Sequence, residues 1–130
     1  KARGNLLPMK KQPNLENKKR QVINTANAKF DVYDFGGPVL EDIGQLDLTY
    51  DRKTGLGAYL IRMQPGSETT AHVHTIREEY LIIEGDLIES DGLVLGPGDY
   101  VIYQPGSEHS SRTETGCLLI GFDSKSGENI

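Results

Sequence analysis

From Gln21 onward the chain is cut into short apolar runs, each closed within a few residues by glycine, proline or an Asp-Gly pair. Alternation of apolar and polar residues at period two, punctuated this often, excludes long helices and favours strands joined by tight turns. GAYLIRMQPG is the clearest such run. Its polar member, Arg62, faces outward, so Tyr59, Ile61 and Met63 face inward, and Pro65 and Gly66 stop the strand. VIN and KFDVYDF also alternate, and ETTAHVHT, EEYLIIEG, YVIYQPG, EHSSRT and GCLLIGFD read as further strands, while DLIESDGLVLGPGD reads as a short hairpin and a turn. LEDIGQLDLTYD shows no clean period and reads as irregular. Glycine, at 15 of 130 residues, is well above the usual share of about 7%. The expected fold class is all-β: eight or more short strands in a sandwich or small barrel.

Length and charge narrow the rest. A chain of 130 residues supports one buried core. Residues 1–20 are polar, basic and aperiodic and read as a flexible N-terminal extension, with 21–130 as a single domain. Residues 1–29 hold eight basic groups against one glutamate, a net of +7. The other 101 hold 6 basic and 18 acidic groups, a net of −12, and 7 − 12 returns the overall −5. The extension lacks interleaved aromatics and the domain would repel phosphate, so nucleic acid is not the expected partner. No apolar stretch is long enough for a membrane span, and the start shows no apolar leader segment. Cys117 is the single cysteine, which excludes an intrachain disulfide and fits a reducing, cytoplasmic setting. In GCLLIGF it reads as a small core hydrophobe.

Histidine is used three times, at His72, His74 and His109, all within one short window beside carboxylates and glycine turns. Residues i and i+2 of a strand share a face, so His72 and His74 project together with Val73 opposite. Imidazole and carboxylate ligands suit first-row transition metals. The next acidic residues, Glu78 and Glu79, are both candidates for the carboxylate, because each is flanked by apolar residues at its own parity.

At these positions the chain resembles the cupin superfamily, small β-barrels of the jelly-roll class. The run Gly66-x5-His72-x-His74-x3-Glu78-x6-Gly85 is similar to the first cupin motif, and Gly98 through Pro105, Gly106 and His109 echo the second. The likeness covers roughly residues 56–122. Gln104 stands where proline is expected, and Thr113 where an asparagine often follows, which points away from the plant storage and oxalate-degrading branch. The resemblance implies a double-stranded β-helix with His72, His74, Glu78 and His109 as metal ligands. Spacing to Gly85 favours Glu78 over Glu79. Fe, Mn, Ni, Co, Cu and Zn all suit the set. An octahedral ion would keep two positions open, a tetrahedral zinc none.

More narrowly, EEYLIIEGDL, PGSEH and GCLLI resemble the cupin domain of ChrR-type anti-sigma factors. In that family a zinc-binding helical domain grips the sigma factor through histidine and cysteines. Residues 1–55 here contain neither, so the resemblance implies a stand-alone metal-binding cupin. Two functions are expected from it. One is a metalloenzyme, dioxygenase-like or isomerase-like, acting on an oxygen-bearing small molecule in a pocket lined by Tyr59, Ile61, Met63, Tyr80 and Ile82. The other is a non-catalytic metal or ligand sensor. Because small cupins commonly pair and EYLIIEG is apolar on both strand faces, a homodimer is expected.

Overall fold

The computed structural model describes residues 19–34, 38–73 and 75–125. Residues 1–18 of the basic extension, Phe35 at the end of KFDVYDF, and His74 lie outside the described residues. The described residues contain no helix. They contain the strands β1 (Asp31–Tyr33), β2 (Leu40–Asp47), β3 (Gly57–Met63), β4 (His72–Val73) and β5 (Arg77–Gly85). There follow β6 (Leu87–Glu89), β7 (Val94–Leu95), β8 (Tyr100–Tyr103), β9 (Glu108–His109), β10 (Ser111–Arg112) and β11 (Cys117–Ser124). The all-β expectation holds.

Six strands form the main antiparallel sheet in the order β1-β2-β3-β11-β5-β8, and the smaller sheets are β10-β6-β7 and β4-β9. The last strand therefore inserts between β3 and β5. Inward residues of the main sheet, among them Ile43, Tyr59, Ile61, Met63, Tyr80, Ile82, Cys117 and Leu119, share one core cluster with Leu87 of β6 and Leu95 of β7. Full burial of an aliphatic side chain such as Ile43, Ile82 or Leu87 contributes about 1.5–3 kcal/mol, and this cluster joins the main sheet to the three-stranded one. Arg62 faces out, its guanidinium 5.5 Å from the Phe30 ring centroid. Cys117 is buried, and burial pushes its thiol up to about 12.

Two segments differ from the sequence reading. VIN forms no strand: the Asn24 side chain accepts hydrogen bonds from the backbone N–H groups of Ala26 and Asn27, closing a turn where a ladder would run. LEDIGQLD, read as irregular, is instead the eight-residue β2. Its inward positions are Ile43 and Gln45, each 1% exposed. A polar residue in the second of these hides the alternation, and the Gln45 amide is satisfied by donating to Asp47 Oδ1 at 2.9 Å. Among the described residues of ETTAHVHT, His72–Val73 is strand, and Glu68 makes an isolated bridge to Arg112.

Two glycines shape the strands that carry the site. Gly85 ends β5 at φ 83°, and a Cβ there would lie 1.9 Å from the carbonyl oxygen of Gly116. Gly121 of β11 lies under the Tyr59 ring, where a Cβ would come within 2.5 Å of the ring carbons. Only glycine lets Tyr59 lie flat across β11 with its hydroxyl beyond.

Candidate functional site

The inner face of the main sheet and the two small sheets enclose a cavity of about 420 Å3. Its walls are apolar at Ile61, Met63, Leu87 and Leu119, and phenolic at Tyr33, Tyr50, Tyr59 and Tyr80. Two carboxylates and an imidazole face it: Glu78, Asp123 and His109. Strand register brings them together. Glu78 pairs with Tyr103 of β8 on one side and with Asp123 of β11 on the other. His109 pairs with His72 in the two-stranded β4–β9 sheet.

His109 forms one pole. Its Nε2 lies 3.2 Å from Glu78 Oε1, and its Nδ1 lies 3.4 Å from Ser111 Oγ and 3.5 Å from Glu89 Oε1. The Tyr103 ring stacks on the imidazole, 4.2 Å between centroids and 9° from parallel. Behind it Glu89 is only 3% exposed and accepts hydrogen bonds from the hydroxyls of Tyr80, Tyr103 and Ser111. Burial alone would push the Glu89 carboxyl up, but the bonds from His109, Ser111 and Tyr80 outweigh it and hold the group below the usual range. Burial pulls His109 down, and its bonds and charge interactions with Glu78 and Glu89 override this, raising it to about 9.

Tyr59 forms the other pole. Its hydroxyl lies 2.8 Å from Asp123 Oδ1 and 3.2 Å from Glu78 Oε2. One hydroxyl carries one hydrogen, so it cannot donate fully to both carboxylates. Burial first, and the Glu78 charge against the Tyr59 hydrogen bond, push Asp123 up to about 7. Tyr33, half-buried near the same pair, is raised to about 12 by burial and by the charges of Glu78 and Asp123. The edge of the Tyr50 ring meets Tyr59 at 5.4 Å, and their planes cross at 81°.

Among the residues singled out from the sequence, Tyr59, Ile61, Met63 and Tyr80 line the cavity, with Glu78 and His109. Ile82 is not on its wall but in the core cluster, 1% exposed. It shares inward parity with Glu78 but lies four residues further along β5, about 13 Å at strand rise. Glu79, the rival carboxylate, accepts from the Tyr100 hydroxyl at 2.6 Å and pairs with Arg77 at 3.4 Å, away from His109. His72 is described by its backbone position opposite His109, and His74 lies outside the described residues.

The described donors suit a transition-metal ion, since an imidazole nitrogen and a carboxylate oxygen converge on one cavity wall with His72 in register beside them. Among the described residues alone, no group of three or more His, Cys, Asp or Glu forms a metal-holding cluster. The sequence reading missed Asp123, Glu89, Ser111 and Tyr103. Asp123 was within reach of it: in CLLIGFD the alternation that buries Cys117 and Leu119 also turns Asp123 inward. Glu89 was not, because LIES is apolar at both parities before it.

Residues 19–125 match the model of the ChrR cupin-like domain, and the chain belongs to that family. No curated protein matches the chain. Solved structures agree on the fold. An RmlC-like cupin from Shewanella frigidimarina superposes with a TM-score of 0.57 at 24% identity, over 78% of this chain and 88% of that one. A chain of the Rhodobacter sphaeroides SigE complex with the anti-sigma ChrR gives 0.61 at 18% identity, over 78% of this chain and 52% of that one. The polyketide cyclase RemF from Streptomyces resistomycificus gives 0.64 at 18% identity, over 80% and 78%.

Proposed function

We propose that His72, His74, Glu78 and His109 hold one divalent first-row transition metal at the cavity wall, and that the protein is a metalloenzyme for an oxygen-bearing small molecule. Dioxygenase-like and isomerase-like chemistry both belong to this reading. The observation that supports it most is the convergence of His109 Nε2 and Glu78 Oε1, 3.2 Å apart, on a cavity of about 420 Å3. When bound, such an ion supplies Lewis-acid polarisation of a substrate oxygen. The chain supplies the rest. Ile61, Met63 and Leu119 exclude water from the floor, while Tyr59 and Asp123 hold a proton at the ligand's edge. The division into a basic extension over residues 1–20 and one domain over 21–130 goes with this reading, as does a cytoplasmic setting. So does a homodimer, for which the exposed Ile83, Ile102 and Phe122 on the outer face of β5, β8 and β11 offer an apolar surface.

Family membership favours one alternative, a non-catalytic sensor in which metal or ligand binding is itself the output. Elemental analysis of untagged, metal-replete protein tests the common premise: about one equivalent per chain is expected, lost in His109→Ala and His74→Ala. Wild-type protein without stoichiometric metal would sink both readings. Turnover with catechol or 1,3-dicarbonyl probes by the iron-loaded protein decides for the enzyme. A ligand-inert, four-coordinate zinc decides for the sensor.

A further inference from the structure

Among the described residues, the cationic partner of Glu89 is His109, and Glu89 is almost fully buried on β6. Uncompensated, a carboxylate there would be costly, and a neutral residue of the same shape would serve the fold as well or better. Its surroundings are nevertheless assembled from three separate strands. Tyr80 comes from β5, Tyr103 from β8 and Ser111 from β10, and each donates its hydroxyl hydrogen to the Glu89 carboxylate.

The direction of these bonds determines the imidazole. A hydroxyl has a single hydrogen, and Ser111 spends its own on Glu89 Oε1. What Ser111 presents to His109 Nδ1, 3.4 Å away, is therefore a lone pair. Nδ1 also lies 3.5 Å from Glu89 Oε1, an acceptor as well. Flanked by acceptors, Nδ1 carries a hydrogen. Tyr103, stacked on the ring and anchored to Glu89 through its hydroxyl at 2.9 Å, prevents the imidazole from turning over. Nε2 is thereby left on the cavity side, against Glu78.

We infer that Glu89 is a positioning residue: with Ser111 and Tyr103 it fixes the Nδ1–H form and orientation of His109, so that Nε2 is presented to the cavity as a ligand atom. The ligand role of Nε2 rests on the metal reading above; the hydrogen on Nδ1 does not. A carboxylate behind a ligating imidazole holds the tautomer and raises ligand basicity, and its loss typically lowers metal affinity about 10- to 100-fold.

The test is Glu89→Gln, which keeps the shape and removes the charge, read in two ways. In metal-free protein above pH 9, where the His109 imidazole is neutral, proton–nitrogen NMR should place the single ring hydrogen on Nδ1 in wild type. That proton should be lost or moved upfield in Glu89→Gln. In Co(II) titrations the variant should bind about 10- to 100-fold more weakly, with an altered ligand-field spectrum, while a metal-free unfolding midpoint at or above wild type rules out a damaged core. Should Glu89→Gln not fold, Glu89→Asp, which withdraws the carboxylate by one methylene, should weaken the same proton signal. An Nδ1 proton unchanged in the variant overturns the inference whether or not metal binds. If wild type takes up no cobalt, the metal reading falls and the NMR result alone decides the role of Glu89.

Discussion

Two carboxylates, Asp123 on the cavity wall and Glu89 behind His109, are shifted in opposite directions. Glu89 is the more deeply buried, yet hydrogen bonds hold it below the ordinary range. Asp123 is pushed up to about 7. Burial works against charge at both, so burial cannot explain the difference. Donor supply does: Glu89 collects three hydroxyls and an imidazole, whereas Asp123 shares the single hydrogen of Tyr59 with Glu78. A buried carboxylate with its lone pairs filled stays charged, and one left short takes up a proton instead. One carboxylate, behind His109, is thus held below the usual range, while the other exchanges a proton near neutral pH.

The contrast breaks most completely at Glu89. Glu89→Leu leaves the hydroxyls of Tyr80, Tyr103 and Ser111 without their acceptor and His109 without its counter-charge. Removing one member of a buried pair costs about 3–5 kcal/mol, and urea unfolding of the metal-free protein at pH 7 should show a loss of that size. A loss below ~1 kcal/mol would mean that water already serves these groups. Tyr80→Phe withdraws one donor and should cost about 1.5–3 kcal/mol, the range for hydrogen bonds to charged groups. Differential scanning calorimetry of the pair Tyr80→Phe and Tyr103→Phe would show whether the donors act independently or as a network.

Much of this frame was legible in the sequence and its most consequential residue was not. Alternation and turn residues carried the strand reading because each inward position of β3 and most of β5 is apolar. The same logic failed where a polar residue occupies an inward position, as at Gln45 of β2. Glu78 and His109 were found through motif spacing, which encodes a meeting of strands that alternation cannot see. Glu89 belongs to no such spacing. Its burial depends on β8 and β10 delivering hydroxyls from elsewhere in the chain, and a local reading of LIES contains nothing of that long-range supply.

Gly121→Ala attacks the proton-exchanging carboxylate through packing. The new methyl would lie 2.5 Å from the Tyr59 ring, so the ring must shift and its hydroxyl must leave Asp123. Overpacking of this kind costs about 1–3 kcal/mol, measurable by chemical denaturation, and Tyr59→Phe should then have no further effect on Asp123. If the two changes instead add, the glycine and the hydroxyl act separately.

A pH profile is the sharpest test of the contrast, because it has a sign as well as a size. Asp123 has a folded-state pKa near 7 against 3.8 for its ordinary value. The folded protein therefore binds its proton more tightly than the unfolded chain does. The stabilisation this brings is fully present below about pH 4 and is lost as pH rises through about 7. Asp123→Asn mimics the protonated carboxyl at every pH. Relative to wild type it should change little at pH 4 and raise the melting temperature at pH 8, with the difference developing between those values. Glu89→Gln should not reproduce that profile, since Glu89 is held below the usual carboxylate range and its proton linkage runs in the opposite direction. Melting curves for both variants from pH 4 to 8 suffice. Equal profiles would show that the two carboxylates share one environment and that donor supply does not separate them.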